Sequence, residues 1–353
     1  MSLDMEKLKT LAFRMLDEVG AAASGALVLL GDRLGLYQAL VDHGPVTSEA
    51  LAAKLGLHER YLREWLHAQA VSRYIDYDAA TETFSICPEQ AMVLANPESP
   101  VNMAGGYWGI SALYAAEPKI AEAFKTGAGL PWGEHSTCLF CGTARFFGPG
   151  YRANLIDQWI PALEGVKEKL EKGARVADVG CGHALTTRLM AKAFPNSQFV
   201  GIDVHQPSID HAAEIAREEG LSNIRFELGT AQQFNGKDYD LVTFFDCLHD
   251  MGDPEGAVRA VAERLAPGGT LMVVEPQAGD SLSENMNPVS RAFLSFSTMV
   301  CVPASLSQSG RAGLGAQAGE KKLSAVIRAG GFNHVRRACD SSTNMILEAR
   351  RQA

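Results

Sequence analysis

Three things are scarce in this sequence of 353 residues, and each scarcity excludes something. Positive charge is in deficit: 32 Lys and Arg face 41 Asp and Glu, a formal net charge of −9. Such a chain repels nucleic-acid phosphates unless its basic residues gather into a patch. Cysteines number seven, an odd and scattered set. With no secretory leader in front of them, a reduced, cytoplasmic protein is expected. Long apolar runs are absent too. The longest, from Gly20 to Leu30, holds Ser24 and several small residues, and it is too short for a bilayer. No membrane partner, targeting signal, repeat or low-complexity tract is expected.

What is present is a globular balance, 46% hydrophobic and 21% charged, with length enough for two domains. Leu8, Leu11, Ala12, Met15, Leu16 and Val19 recur at helical spacing and predict a helix over Met5–Val19. A second is predicted over Ala23–Leu40, ended by His43-Gly44-Pro45. Ser48–Leu55 and His58–Ala70 read as two short helices parted by Gly56. Tyr74–Tyr77 and Thr83–Ile86 then alternate as strands about a polar turn. Helix, turn, helix, hairpin is the order of a winged helix. Residues 97–165 are rich in Gly, Pro and aromatics and read as a helical connector, with helical pieces near Ser111–Lys125 and Gly150–Leu163.

From Ala174 the rhythm changes. Short apolar runs at Arg175–Val179, Gln198–Ile202, Ile224–Leu228, Tyr239–Phe245 and Thr270–Val274 alternate with helical segments. Unbroken apolar runs fit strands buried on both faces of a parallel sheet. Val335–Cys339 and Asn344–Ala349 are joined too briefly to be parallel, so an antiparallel hairpin is expected to end the sheet.

The first of these strands runs into Asp178-Val179-Gly180-Cys181-Gly182-His183-Ala184. Gly180 and Gly182 permit a tight turn and close approach of backbone to a ligand. A dinucleotide fingerprint would need a third glycine at 185, where Leu185 stands. Asp178 stands just before the glycines, where a carboxylate can meet a ligand's cationic amino group, directly or through water. Asp203 ends the next strand, about 20 residues past the turn, where an acid accepts ribose hydroxyls. Leu228-Gly229-Thr230-Ala231 ends the third and could flank an adenine.

These features together resemble class I S-adenosylmethionine methyltransferases, over roughly Val166–Ala353. The resemblance implies an α/β, Rossmann-like, seven-stranded domain over 166–353. A mainly α winged-helix and dimerisation domain would cover 1–96, and the connector 97–165. It implies S-adenosylmethionine as cofactor and S-adenosylhomocysteine as product. Asp178, Gly180, Gly182, Asp203, Val204, Gly229, Thr230, Ala231, Asp246 and Cys247 would bind the cofactor. Two positions depart from the family pattern. Ala184 replaces a third glycine, and Thr230 replaces the usual acid.

The fourth strand ends in Phe245-Asp246-Cys247-Leu248-His249-Asp250, and the fifth in Val274-Glu275-Pro276. Ligands bind beyond such strand ends. His249 is a candidate general base and Glu275 the carboxylate that orients its ring. The arrangement resembles small-molecule O-methyltransferases with an N-terminal winged helix, including bacterial and mycobacterial ones of unassigned substrate. Their second acid would fall near Gln317, which is not acidic. Trp108, Phe146, His249, Phe293, Phe296 and Met299 are expected to line the acceptor pocket. Expected partners are a small-molecule methyl acceptor and a second copy of the chain.

Two other readings compete. The winged helix could serve a DNA-binding regulator with a ligand-sensing Rossmann-like domain. Its recognition helix offers His58, Arg60, Arg63 and His67 against Glu59 and Glu64, a poor phosphate-binding set. Cys138-x-x-Cys141 could serve thiol or metal chemistry. No second pair and no histidine cluster at zinc spacing accompanies it, so no metal is expected.

Overall fold

The computed structural model describes residues 3–351 and divides into two compact units. Unit one comprises residues 1–111 with 141–149, and unit two residues 112–140 with 150–353. The stretch 97–165 is thus shared between them.

Unit one opens with α1 (Met5–Arg33) and α2 (Leu36–His43). The break between them falls at Leu34-Gly35, not at Gly20–Ala22 as the sequence reading has it. Three alanines follow Gly20. They are strong helix formers that outweigh the roughly 1 kcal/mol cost of one helical glycine. Gly35 adopts φ +68, which only glycine takes at little cost. Gly31 is needed for another reason. A Cβ there would lie 2.4 Å from the Trp65 ring, so the α4 indole packs directly on the α1 backbone.

α3 (Ser48–Leu55) and α4 (Glu59–Val71) follow, then the hairpin of β1 (Asp76–Asp78) and β2 (Thr83–Ser85). Thr47 caps α3 through its hydroxyl, and Gly56 ends it at φ +65. Val46 pairs with Phe84 as a third, one-residue strand. Leu51, Leu62, Trp65, Leu66, Ile75 and Phe84 are buried together. This is the expected winged helix. On α4, Arg60 pairs with Glu64 and Arg63 with Glu59, so the arginines a DNA reader would offer to phosphate are matched within the helix.

Unit two is built on one seven-stranded sheet, in the order β5-β4-β3-β6-β7-β9-β8. The strands are β3 (Arg175–Val179), β4 (Gln198–Asp203), β5 (Ile224–Leu228), β6 (Tyr239–Phe245), β7 (Leu265–Pro276), β8 (His334–Asp340) and β9 (Asn344–Arg350). β3 to β7 run parallel. β9 inserts antiparallel between β7 and β8, the hairpin that the short 341–343 link requires. Val176, Ala177, Leu241, Val242, Phe244, Leu271 and Val273 are at most 1% exposed. Burial on both faces is why their runs carry no alternation. The chain leaves β3 first toward β4 and β5, then returns to place β6 on its other side. That reversal is the switch point where open α/β sheets bind ligands.

Candidate functional site

Both loops at the switch point are locked to each other. Gly180 takes φ +75, and a Cβ on it would meet Cys247 Sγ at 2.7 Å. The Cys247 thiol donates to the carbonyl of Val179 at 3.2 Å. Gly180 and Cys181 both donate their N–H to Ile202 O, drawing the turn onto the end of β4. Gly182 donates to Asp203 Oδ2 at 2.8 Å, and His205 N to Oδ1 at 2.9 Å. Burial raises the Asp203 carboxyl, and these two N–H groups partly restore its charge. Val204 and Leu228, at the ends of neighbouring strands, stay 64% and 57% exposed. Gly229 N ties to Asp203 O, Thr230 bridges to Gln233, and Ala231 is buried.

Asp178 lies below this turn and is fully buried. The Thr186 and Thr187 hydroxyls donate to its Oδ2 at 2.8 and 2.6 Å, and Thr243 to Oδ1 at 2.8 Å. Burial raises its carboxyl against those three donors. It therefore fastens the helix Leu185–Ala193 and β6 to the turn, with no face open to a ligand. The expected contact of Asp178 with a ligand's amino group, directly or through water, meets a carboxylate whose oxygens already accept from three hydroxyls.

Beyond β6 the backbone turns sharply at Asp246, φ +49. Tyr151 donates its hydroxyl to Asp246 Oδ2, and Asn344 its amide to Oδ1 at 2.8 Å. Burial, then the nearby Glu275 charge, pushes Asp246 up to about 8. Tyr151 and Asn344 escaped the sequence reading because their closeness is purely tertiary.

The next turn, Leu248–Asp250, carries His249, 3% exposed. Glu275 at the end of β7 accepts the Leu248 N–H at 3.0 Å through Oε1, while Oε2 binds His249 Nδ1. It sets both the turn and the ring. His249 Nε2 lies 3.2 Å from Asp250 Oδ1. Burial would discharge the ring, but Glu275 and then Asp250 outweigh it and hold the imidazole protonated well above the ordinary histidine range. Cys301, in a π-helical turn at Ser297–Cys301, presents its sulfur to the same place.

The remaining expected residues are dispersed. Trp108, in unit one, donates its indole N–H to Asp32 at 2.7 Å beneath Arg33 and Arg145. Phe146, also in unit one, stacks edge-on against Phe147. In unit two Phe293 is buried, Phe296 is half-buried, and Met299 packs on Ala116, Ile120 and Leu130. Gln317 donates to Gln277 O, at the end of β7.

Comparison with known proteins agrees with this fold. Residues 170–323 match a methyltransferase domain, and residues 22–96 match the Rv2258c-like winged HTH domain. The chain therefore joins a methyltransferase domain to an N-terminal winged helix-turn-helix domain. It is similar to the uncharacterized methyltransferase YcgJ of Bacillus subtilis, 30% identical over 121 residues, covering 33% of this chain and 47% of that one. A ubiquinone biosynthesis O-methyltransferase of Bordetella avium is 36% identical over 121 residues, 32% of this chain and 45% of that one. The chain spans about half the length of the curated relatives it matches. Human N-acetylserotonin methyltransferase, solved in complex with SAM, shares the fold end to end. Its TM-score is 0.71 at 15% identity, over 97% of this chain and 98% of that one.

Proposed function

We propose that this protein transfers a methyl group from S-adenosylmethionine to an oxygen of a small-molecule acceptor. The observation that carries the reading is the Gly182 N–H held by Asp203 at the sheet's switch point. A ligand there meets bare backbone on one side and a carboxylate on the other. The matched methyltransferase domain and the SAM complex of the human neighbour support the same cofactor.

S-adenosylmethionine, when bound, supplies a methyl group on a sulfonium leaving group, so the protein's task is alignment and proton removal. Gly180 and Gly182 would admit the methionine part, and Asp203 would accept the ribose hydroxyls. Val204, Thr230 and Ala231 would flank the adenine, with Asp246 and Cys247 closing the site from the β6 side. Asp178 acts from below as a positioning residue. His249 is the base of this proposal. Glu275 holds Nδ1, which leaves Nε2 for the acceptor's hydroxyl proton. Phe293 and Phe296 supply apolar surface on the same unit. The apolar stripe of α1 fits a homodimer.

Calorimetric titration of S-adenosylmethionine and S-adenosylhomocysteine tests the reading. Micromolar binding is expected, weakened about tenfold by Asp203→Asn, the scale of one lost charged hydrogen bond. Absence of binding by folded protein would overturn it.

A further inference from the structure

We propose that His249, Asp250 and Cys301 form a binding site for a divalent transition-metal ion, Zn2+ first among them. One ring nitrogen of His249, a carboxylate oxygen of Asp250 and the Cys301 sulfur all lie within 4.8 Å of one another; Glu275 occupies Nδ1, which leaves Nε2 as the ligand. Bonds of about 2.0 Å to nitrogen or oxygen and 2.3 Å to sulfur, at tetrahedral angles, put ligands 3 to 4 Å apart. The His249–Asp250 separation of 3.2 Å already fits, and the cluster's outer limit of 4.8 Å closes to that range by side-chain rotation.

Three further observations point inward. Asp250 Oδ1 is buried and makes no well-directed hydrogen bond, with His249 Nε2 3.2 Å away and Cys301 as its other polar neighbour. The three groups thus crowd around a common point. Glu275 Oε2 grips His249 Nδ1, the carboxylate–histidine arrangement that fixes the tautomer and orients the other nitrogen of a metal ligand. Cys301 closes a π-helical turn, where one extra residue per turn re-aims a side chain, as such turns do at functional sites. Nitrogen, carboxylate and thiolate together suit zinc or cobalt better than magnesium or calcium. Three protein ligands leave a fourth position open.

This goes beyond the methyl-transfer reading and does not depend on it. A metal and an accepted proton would use the same lone pair on Nε2, so metal occupancy would switch off His249 as a base. The sequence hides the site: His249 and Asp250 are adjacent, but Cys301 comes 51 residues later with no zinc-type spacing.

The test is titration of the full-length, chelator-treated protein with Co2+ and Zn2+, read by absorbance and by metal content after gel filtration. One equivalent is expected, with a thiolate-to-cobalt charge-transfer band. Cys301→Ser should abolish that band, and Asp250→Asn should weaken binding about tenfold or more. Replacing Cys138 and Cys141 by serine should change neither. Less than a tenth of an equivalent bound by folded wild type would overturn the proposal. So would a charge-transfer band that survives Cys301→Ser but not the Cys138 and Cys141 replacements. Should Cys301→Ser fail to fold, unweakened binding by folded Asp250→Asn overturns it equally.

Discussion

At the scale of single residues, the site turns on one imidazole between carboxylates. Glu275 and Asp250 keep His249 protonated well above its ordinary value, against the pull of burial. A base must first be neutral. In metal-free enzyme, kcat/KM should therefore rise with pH through the raised His249 pKa, well above about 6.5. Glu275→Gln removes the largest charge favouring the cation, so the rising limb should move to lower pH and the plateau should fall. A pH profile with its limb unmoved in Glu275→Gln would remove His249 from the base role. The order of residues along the chain made His249 and Glu275 legible, because strand ends of a parallel sheet meet on one edge. Nothing local marked Cys301, Tyr151 or Asn344. Gln317 bonds to Gln277 O instead of joining the histidine, so no second acid arrives from that segment.

Among elements, four of the five parallel strands are legible to within a residue, while β7 starts five residues before and ends two residues after the Thr270–Val274 run. Burial on both faces writes the unbroken apolar runs of the central strands, whereas β5 at the edge is only partly covered. The α1 break is not legible, because local glycine content competes with the alanines that follow it. The glycine turn also carries a measurable signature of its own. His183 stands edge-on to His211 at 4.6 Å. Burial first, then the charges of His211, His205 and Arg188, lower it to about 4. Its folded pKa lies below the unfolded value of about 6.5. The unfolded chain thus binds the proton more readily, and stability from this group is complete above about 6.5 and is lost as pH falls toward 4. The full shift would be about 3 kcal/mol; solvent screening at this partly exposed ring reduces that to roughly 1–2 kcal/mol. Urea unfolding at pH 7 and pH 5 should show somewhat more than half of that loss, and His183→Asn should flatten it. An unchanged pH slope in the variant would mean that the ring is solvated as freely in the fold as outside it.

For the whole molecule, the unsatisfied feature is the outer half of α1. Leu8, Leu11, Phe13, Met15, Leu16 and Val19 are 43% to 72% exposed, and the helix is buried only from Gly25 on. A helix carrying so many bare apolar side chains is not stable alone in water. By length and composition, the run Pro288–Leu306 and the bent pair α1 and α2 could each also enter a bilayer. But 44% of the first is already buried, and α1 carries Glu6, Lys7, Lys9, Arg14, Asp17 and Glu18 around its apolar stripe. That pattern suits a second protein surface better than lipid. Burying such side chains stabilises by about 1.5–3 kcal/mol each. Five from each copy (Leu8, Leu11, Met15, Leu16 and Val19) share one face, and covering the roughly half that each exposes is of the same order as the 4–15 kcal/mol that association costs. A twofold pairing of α1 with α1 uses the same stripe on both copies. Leu11→Asp with Met15→Asp puts two carboxylates into that seam. Light scattering should then read a dimer for the wild type and a monomer for the variant, with the circular dichroism of the methyltransferase domain retained. A wild-type monomer at tens of micromolar would show that the stripe waits for another partner. A dimer that survives both charges would move the interface elsewhere on the chain.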